Sequence, residues 1–224
     1  MLTIIVPTYN EAANVDALHA QRLQFSQTQW IIVDGGSSDG TLTTLKQFSD
    51  WTVLTQTPGG RAKQMNLGAQ YAQGEVLLFL HADTQLPVKV TELINHVLQD
   101  QSVVAGAFHI RYQSERIAHW LCHWLAFRSR HTRLPYGDQA IFVRKNIFEQ
   151  MGGYPDQPLM EDYEFSRRLW RYGKLVVVPD PVVTSARRFE AGILKTGLLM
   201  KAIWGLYNLG FSAERLAGWY KAVR

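Results

Sequence analysis

Four short apolar runs in residues 1–80, each ended by polar residues and followed by a stretch of helical character, constrain this chain more than any other feature. They are Thr3-Ile4-Ile5-Val6 closed by Pro7, Trp30-Ile31-Ile32-Val33-Asp34, Trp51-Thr52-Val53-Leu54, and Glu75 to Leu80. Between them, Asn14 to Leu23, Thr41 to Phe48 and Ala62 to Tyr71 read as helices. Strands that are apolar on both faces must be covered on both faces. Strand–helix alternation therefore predicts an α/β fold with a parallel-dominated sheet. Ligands of such sheets bind outside the carboxyl ends of the strands. Here those ends carry Thr8 to Glu11, Asp34 to Asp39, and His81 to Asp83, so three polar clusters are expected along one edge.

The second half is less regular. Val103 to Ile110 reads as a strand, Ile117 to Arg128 as a helix, and Gly137-Asp138-Gln139 as a turn into the strand Ala140 to Val143. Glu161 to Tyr172 reads as a helix. Leu175 to Val178 reads as a strand ended by Pro179 and Pro181, and the tail from Ile193 as two helices. The stripe His119, Trp120, His123, Trp124, Phe127 has helical spacing and is expected to face the core. A length of 224 residues with 46% hydrophobic content suits one unit with a substantial core. Residues 1–105 are expected to bind one ligand, 106–185 to shape the opposite side, and 186–224 to form a helical tail.

A formal charge of +4 is too small and dispersed to indicate nucleic acid, but suits an anionic small molecule or a membrane surface. The single cysteine, Cys122, excludes an intramolecular disulfide and a cysteine zinc site, which fits a cytoplasmic setting. Met1 to Pro7 reads as a strand rather than a leader. No apolar stretch reaches the roughly 20 residues of a membrane span. The longest, Gly192 to Leu209, is interrupted by Lys195, Lys201 and Asn208.

Asp83, directly after a buried apolar strand, carries the chemistry. A carboxylate there is costly without a partner. A divalent cation bridging a diphosphate is one such partner, and a cap on the turn before Pro87 is another. Asp34 and Asp39 at neighbouring ends favour the first reading, because carboxylates sharing an edge repel unless something engages them. Arg61, Lys63, Arg187 and Arg188 are candidate diphosphate partners, although a solvated surface position is the stronger reading for Lys63. Gly59-Gly60 before a helix offers backbone amides to an anion.

The segments Val6-Pro7-Thr8-Tyr9-Asn10-Glu11, Val33 to Thr41, His81-Ala82-Asp83 and Met160-Glu161-Asp162 resemble, in order and spacing, the family-2 glycosyltransferases of the A-type nucleotide-diphospho-sugar transferase fold. Gly60 to Asn66 and Ser185 to Phe189 resemble a small bacterial subgroup associated with arsenosugar biosynthesis. The resemblance implies an inverting sugar transfer from a nucleotide diphosphate sugar, with UDP favoured over GDP. It implies that Pro7, Tyr9 and Glu11 line the nucleotide pocket, that Asp34 holds the base, and that Asp39 holds the nucleoside side, with Ala82 beside them. It implies that Asp83 ligates Mn²⁺ or Mg²⁺. The family's metal motif has a further carboxylate where this chain has His81, which becomes a metal ligand or a ribose or phosphate contact; an imidazole favours Mn²⁺. Asp162 becomes the catalytic base. Gly137, Asp138, Gln139 and Glu161 fall on the acceptor side, although for the turn and for Glu161 a purely structural role is an equal reading. No Gln-x-x-Arg-Trp string follows Asp162, which disfavours polymer synthesis.

Two rival readings remain. A nucleotidyltransferase shares this architecture, but wants a glycine- and lysine-rich loop after the first strand, where Pro7 to Glu11 stand. A nucleotide-sugar-binding protein without turnover draws support from His81. The tail, with Trp204 and Tyr207, suits either peripheral contact with an anionic membrane near a lipid-linked acceptor, or packing in the core or a homodimer.

Overall fold

The computed structural model describes residues 1–58, 60–131, 134–190 and 192–223, and leaves out the side chains of 128–131, 188 and 221–223. Strands β1 (Leu2–Thr8), β2 (Thr28–Asp34), β3 (Thr52–Thr55) and β4 (Val76–Phe79) alternate with helices α1 (Val15–Leu23), α2 (Thr41–Leu45) and α3 (Arg61–Gln70). After β5 (Thr84–Gln85) come α4 (Val90–Val97), β6 (Val103–Gln113), α5 (His119–His131), β7 (Phe142–Arg144), α6 (Lys145–Gln150) and α7 (Glu161–Leu169). The chain ends with β8 (Lys174–Ser185), α8 (Arg187–Glu190), α9 (Ile193–Asn208) and α10 (Ala213–Val223). All eight strands form one sheet in the order β3-β2-β1-β4-β7-β6-β8-β5.

The first half of the sheet is parallel, as the alternation requires, with β1 flanked by β2 and β4. Strand β7 runs antiparallel to both β4 and β6, and joins the later strands to the same sheet. One apolar cluster packs on each face. Leu18, Trp30, Ile32, Leu78 and Phe108 belong to one, and Ile5, Ile31, Val33, Leu77 and Phe165 to the other. Successive residues of β1, β2 and β4 alternate between the two, which is why these strands carry no polar face. Gly68 lets α3 lie close on the sheet, since a Cβ there would come within 2.5 Å of the Ile5 side chain.

Two expectations need correction. The strand predicted to stop before the prolines instead continues through them to Ser185. Its register against β6 jumps from Phe108↔Val178 to His109↔Pro181, so Pro179 and Asp180 fall in a bulge and only Pro181 stands in the ladder. The stripe on α5 faces outward: Trp120, Trp124 and Phe127 are 69%, 66% and 59% exposed, while Cys122 and Ala126 form the buried face. Helical spacing identified one face of α5, but small residues pack on the sheet and the aromatics do not. Of the two readings left open for the tail, Tyr207 takes the packed one. Its ring meets Tyr163 edge-on at 6.0 Å, and it belongs with Leu199, Ile203 and Leu206 to the face of α9 that packs near α7.

Candidate active site

The loops after β1 and β2 are bound to each other. The Asn10 amide donates to Ser37 Oγ (2.9 Å), the Ser38 amide to Asn10 Oδ1 (2.9 Å), the Glu11 amide to Thr41 Oγ1 (2.9 Å) and the Ala12 amide to Asp39 Oδ2 (3.1 Å). Asp39 also accepts the Thr41 amide at 3.0 Å, and the Thr41 hydroxyl beside it holds its carboxyl below the usual carboxylate range. Asp34 is fully buried at the end of β2 and accepts the amides of Gly36 (3.0 Å) and Ser37 (2.9 Å), so its charge is met from within the turn. Gln64 on α3 is buried beneath both loops and donates to the carbonyls of Thr8 (2.8 Å) and Val33 (2.7 Å). Sequence reasoning gave Asn10, Ser37, Thr41 and Gln64 no site role of their own. All four lie in segments that carry a family or subgroup resemblance, which was the signal available for them.

Tyr9 is exposed beside this platform and Pro7 precedes it in β1. Glu11 lies at its edge, where the two terminal guanidinium nitrogens of Arg187 donate to its carboxylate, Nη1 to Oε2 at 3.1 Å and Nη2 to Oε1. The same guanidinium reaches Asp83, with Nη2 3.2 Å from Oδ2. Burial pushes the Asp83 carboxyl up, opposed by Arg187 and reinforced by Glu11. One arginine from the start of α8 thus joins the ends of β1 and β4. A cleft of about 260 Å³ opens beside Asp83, lined by Gln85, Gln113, Val183, Thr184 and Ser185.

Two residues before Asp83, His81 turns to different company. A Cβ placed on Gly137 would lie 3.1 Å from His81 Nε2 and 3.3 Å from Asp162 Oδ2, so the three residues meet around one point. The Gly137 amide donates to Asp162 Oδ2 (2.8 Å) and the Tyr163 amide to Asp162 Oδ1 (2.7 Å). Asp162 is therefore fixed in orientation at the amino end of α7, where the helix dipole favours a carboxylate. Beside it, Glu161 is buried and paired with Arg61 Nη1 at 3.1 Å; burial pushes its carboxyl up, against the pull of that guanidinium. Asp138 accepts from the Tyr112 hydroxyl at 2.7 Å. Gln139 is fully buried and its amide group serves the Phe108 carbonyl and the Tyr136 amide, so it supports the turn from behind rather than facing an acceptor. Lys63 points to Asp156 at 3.7 Å, away from the carboxylate row. The Arg188 side chain and Gly59 lie outside the described residues, and Ala82 sits between His81 and Asp83.

Among the described residues no three His, Cys, Asp or Glu side chains group as a cage for a metal ion. The residues present suit a hard cation that takes one carboxylate oxygen from Asp83 and its remaining ligands from phosphate and water, the common manner of Mg²⁺.

The chain is similar to several glycosyltransferases. An uncharacterised glycosyltransferase of Haemophilus influenzae is 31% identical over 112 residues, 49% of this chain and 38% of that protein. The probable glycosyltransferase YdaM of Bacillus subtilis is 24% identical over 199 residues, 77% of this chain and 47% of its own length. This chain thus spans less than half of either. A PGL/p-HBAD biosynthesis glycosyltransferase of Mycobacterium bovis is 26% identical over 223 residues, 88% of this chain and 80% of that one. Among solved structures, S. aureus TarS 1–349 in complex with UDP superposes with a TM-score of 0.66 at 16% identity, over 83% of this chain and 60% of that one, and shares the A-type fold. The model of the family described as glycosyl transferase family 2 matches residues 3–154, which contain β1 to β4, the zipped loops, His81 and Asp83; the chain belongs to that family.

Proposed function

We propose that this protein transfers a sugar, with inversion, from a nucleoside diphosphate sugar to an acceptor hydroxyl, with UDP favoured over GDP as the nucleotide. The observation that carries the reading is the row of polar groups from Glu11 and Asp83 through His81 to Asp162, held at the carboxyl edge of the parallel strands. S. aureus TarS, with the same fold, has been solved with UDP and with UDP-GlcNAc. Tyr9 and the loop carrying Asp34 and Asp39 form the nucleoside side. Glu11 serves the ribose. Arg187, with Arg188 and Arg61, supplies positive charge for the diphosphate.

Asp162 is the base. Its carboxylate takes the proton of the acceptor hydroxyl as that oxygen bonds to C1 of the sugar, and the bond from C1 to the diphosphate oxygen breaks, releasing the nucleoside diphosphate. Two backbone amides hold the carboxylate in place, so little reorganisation precedes transfer. Mn²⁺ or Mg²⁺ on Asp83, when bound, neutralises charge on the leaving diphosphate. Gly137, Asp138 and Glu161 border the acceptor side; His81 stands between the two halves of the site.

The narrower likeness to the subgroup associated with arsenosugar biosynthesis rests on Gly60–Asn66 and Ser185–Phe189, segments that contribute Arg61, Gln64 and Arg187 to this edge. A lipid-linked acceptor and peripheral contact with an anionic membrane are supported by the outward residues Leu194, Leu198 and Trp204 of α9, and by the aromatic stripe of α5. No described helix is long and apolar enough to cross a membrane. The test is a thermal-shift series with UDP, GDP and their sugars, with and without Mn²⁺, followed by donor hydrolysis. A ligand at 100 times its Kd adds about 2.7 kcal/mol, so binding is visible. Absence of stabilisation by every nucleotide would remove the proposal, and binding without hydrolysis or transfer would favour the non-catalytic reading.

A further inference from the structure

We infer that Arg187 and a divalent cation exclude one another at Asp83, so that Arg187 is the resident counter-cation of the donor-free site. The inference rests on the donor-site reading above and adds to it a competition within the protein itself. Glu11 and Asp83 are two poorly exposed carboxylates at the ends of adjacent parallel strands, with side chains 16% and 13% exposed. Left alone they repel. The Arg187 guanidinium lies between them, donating to both oxygens of Glu11 and standing 3.2 Å from Asp83 Oδ2. A cation on that same oxygen would sit roughly 2.0–2.1 Å away, within a few ångströms of a second full positive charge.

The backbone beneath Arg187 is pinned. The Ala186 amide donates to the Gln113 carbonyl at 2.9 Å, and Phe189 packs edge-on against Tyr112 at 5.5 Å. Glu11 is pinned too, its amide on Thr41 and its carboxylate accepting from Asn14. The free coordinate is the Arg187 side chain, which is half-exposed and long enough to swing. A nucleoside diphosphate offers a bidentate anion of the kind a guanidinium prefers. Donor binding therefore draws Arg187 off Asp83, and only then is the Asp83 oxygen open to a metal. Order follows from charge: the diphosphate comes before or with the cation.

The test reads free Mn²⁺ by electron paramagnetic resonance against full-length protein without nucleotide. Arg187→Gln is expected to bind Mn²⁺ at least about tenfold tighter than the parent, ~1.4 kcal/mol. Asp83→Asn added to Arg187→Gln is expected to abolish the gain. Lys174→Gln, which removes one exposed positive charge elsewhere, is expected to keep the parental affinity. Circular dichroism and Tm confirm that each variant is folded. If Arg187→Gln binds Mn²⁺ no tighter, if the gain survives loss of Asp83, or if Lys174→Gln reproduces it, the exclusion is overturned. UDP binding to the same variants under chelation is read separately. Its loss in Arg187→Gln supports the diphosphate role, and parental UDP binding alongside tightened Mn²⁺ would remove that role while leaving the exclusion standing.

Discussion

The two edges of the proposed site, one for the donor and one for the acceptor, are built differently. The donor edge, after β1 and β2, is a zipped pair of loops in which side chains satisfy neighbouring amides and Gln64 ties both strand ends from below. Its one left-handed non-glycine residue is Asn10 at φ 54°, a residue type that tolerates the conformation. The acceptor edge gathers Gly137, Glu161 and Asp162 from two separate stretches. It is bracketed by Ala140 at φ 48° and Met160 at φ 63°, types that pay on the order of 1–3 kcal/mol there. Charge separates the paired loops from the rest of the site. Asp39 in the paired loops is held low by its hydrogen bonds, whereas burial pushes up Glu161 on the acceptor edge and Asp83 between the two. The loops after β1 and β2 are tied by internal hydrogen bonds, and the acceptor edge adds strained backbone and a buried carboxylate, conditions common where catalysis occurs.

The sharpest way to break this contrast is Asp162→Asn. Transfer is expected to fall roughly a hundredfold or more, the range for a lost general base, with UDP affinity unchanged. A loss confined to UDP binding would move Asp162 to the donor edge and erase the division. Asp83→Asn should next remove the gain in UDP affinity that Mn²⁺ provides while Tm without ligand stays near the parent; calorimetry of UDP with and without Mn²⁺ reads it. An undiminished metal effect would take the cation away from Asp83.

A smaller effect is expected from Gly137→Ala. The new methyl would crowd His81 Nε2 and Asp162 Oδ2 at 3.1 and 3.3 Å, and a shift of a few tenths of an ångström in the base should lower kcat by about tenfold with UDP binding intact. Parental kcat would mean the acceptor edge tolerates displacement. Gln64→Ala probes the paired loops themselves. Leaving the Thr8 and Val33 carbonyls unmet should cost about 1–3 kcal/mol and lower Tm, and should also loosen UDP. A stability loss with full UDP affinity would show that the loops hold their shape without it.

The smallest effect is a pH dependence at Glu161. Its carboxyl is raised in the folded chain, so its contribution is present below the unfolded carboxylate range and is lost as pH rises through the folded value. Glu161→Gln should therefore exceed the parent in Tm at pH 7 by on the order of 2 °C, with the advantage vanishing toward pH 4. The opposite trend would mean that the Arg61 pair outweighs burial.

Much of the donor edge was legible in the sequence. Four apolar runs forced a covered parallel sheet, and the residues just past them had to meet at its carboxyl edge. The acceptor edge was less so. Gly137 and Asp162 were legible as residues of interest only through family resemblance, because no periodicity links position 137 to position 162. The prolines of β8 read as a stop, since the bulge that accommodates them depends on pairing with β6. The aromatic stripe of α5 was found as a stripe, but its direction was not, because a helix face names no partner.

The sequence by itself determined the local terms: which runs are strands, where they end, and that polar residues crowd those ends. These follow from burial and backbone chemistry within a few residues. Only the tertiary structure decided which charges share a partner. Arg187 stands between Glu11 and Asp83 although 176 positions separate it from Glu11, because β8 runs parallel to β6 and delivers its end to the edge where β1 and β4 finish. Coulomb interaction depends on distance in space, and chain order does not set that distance.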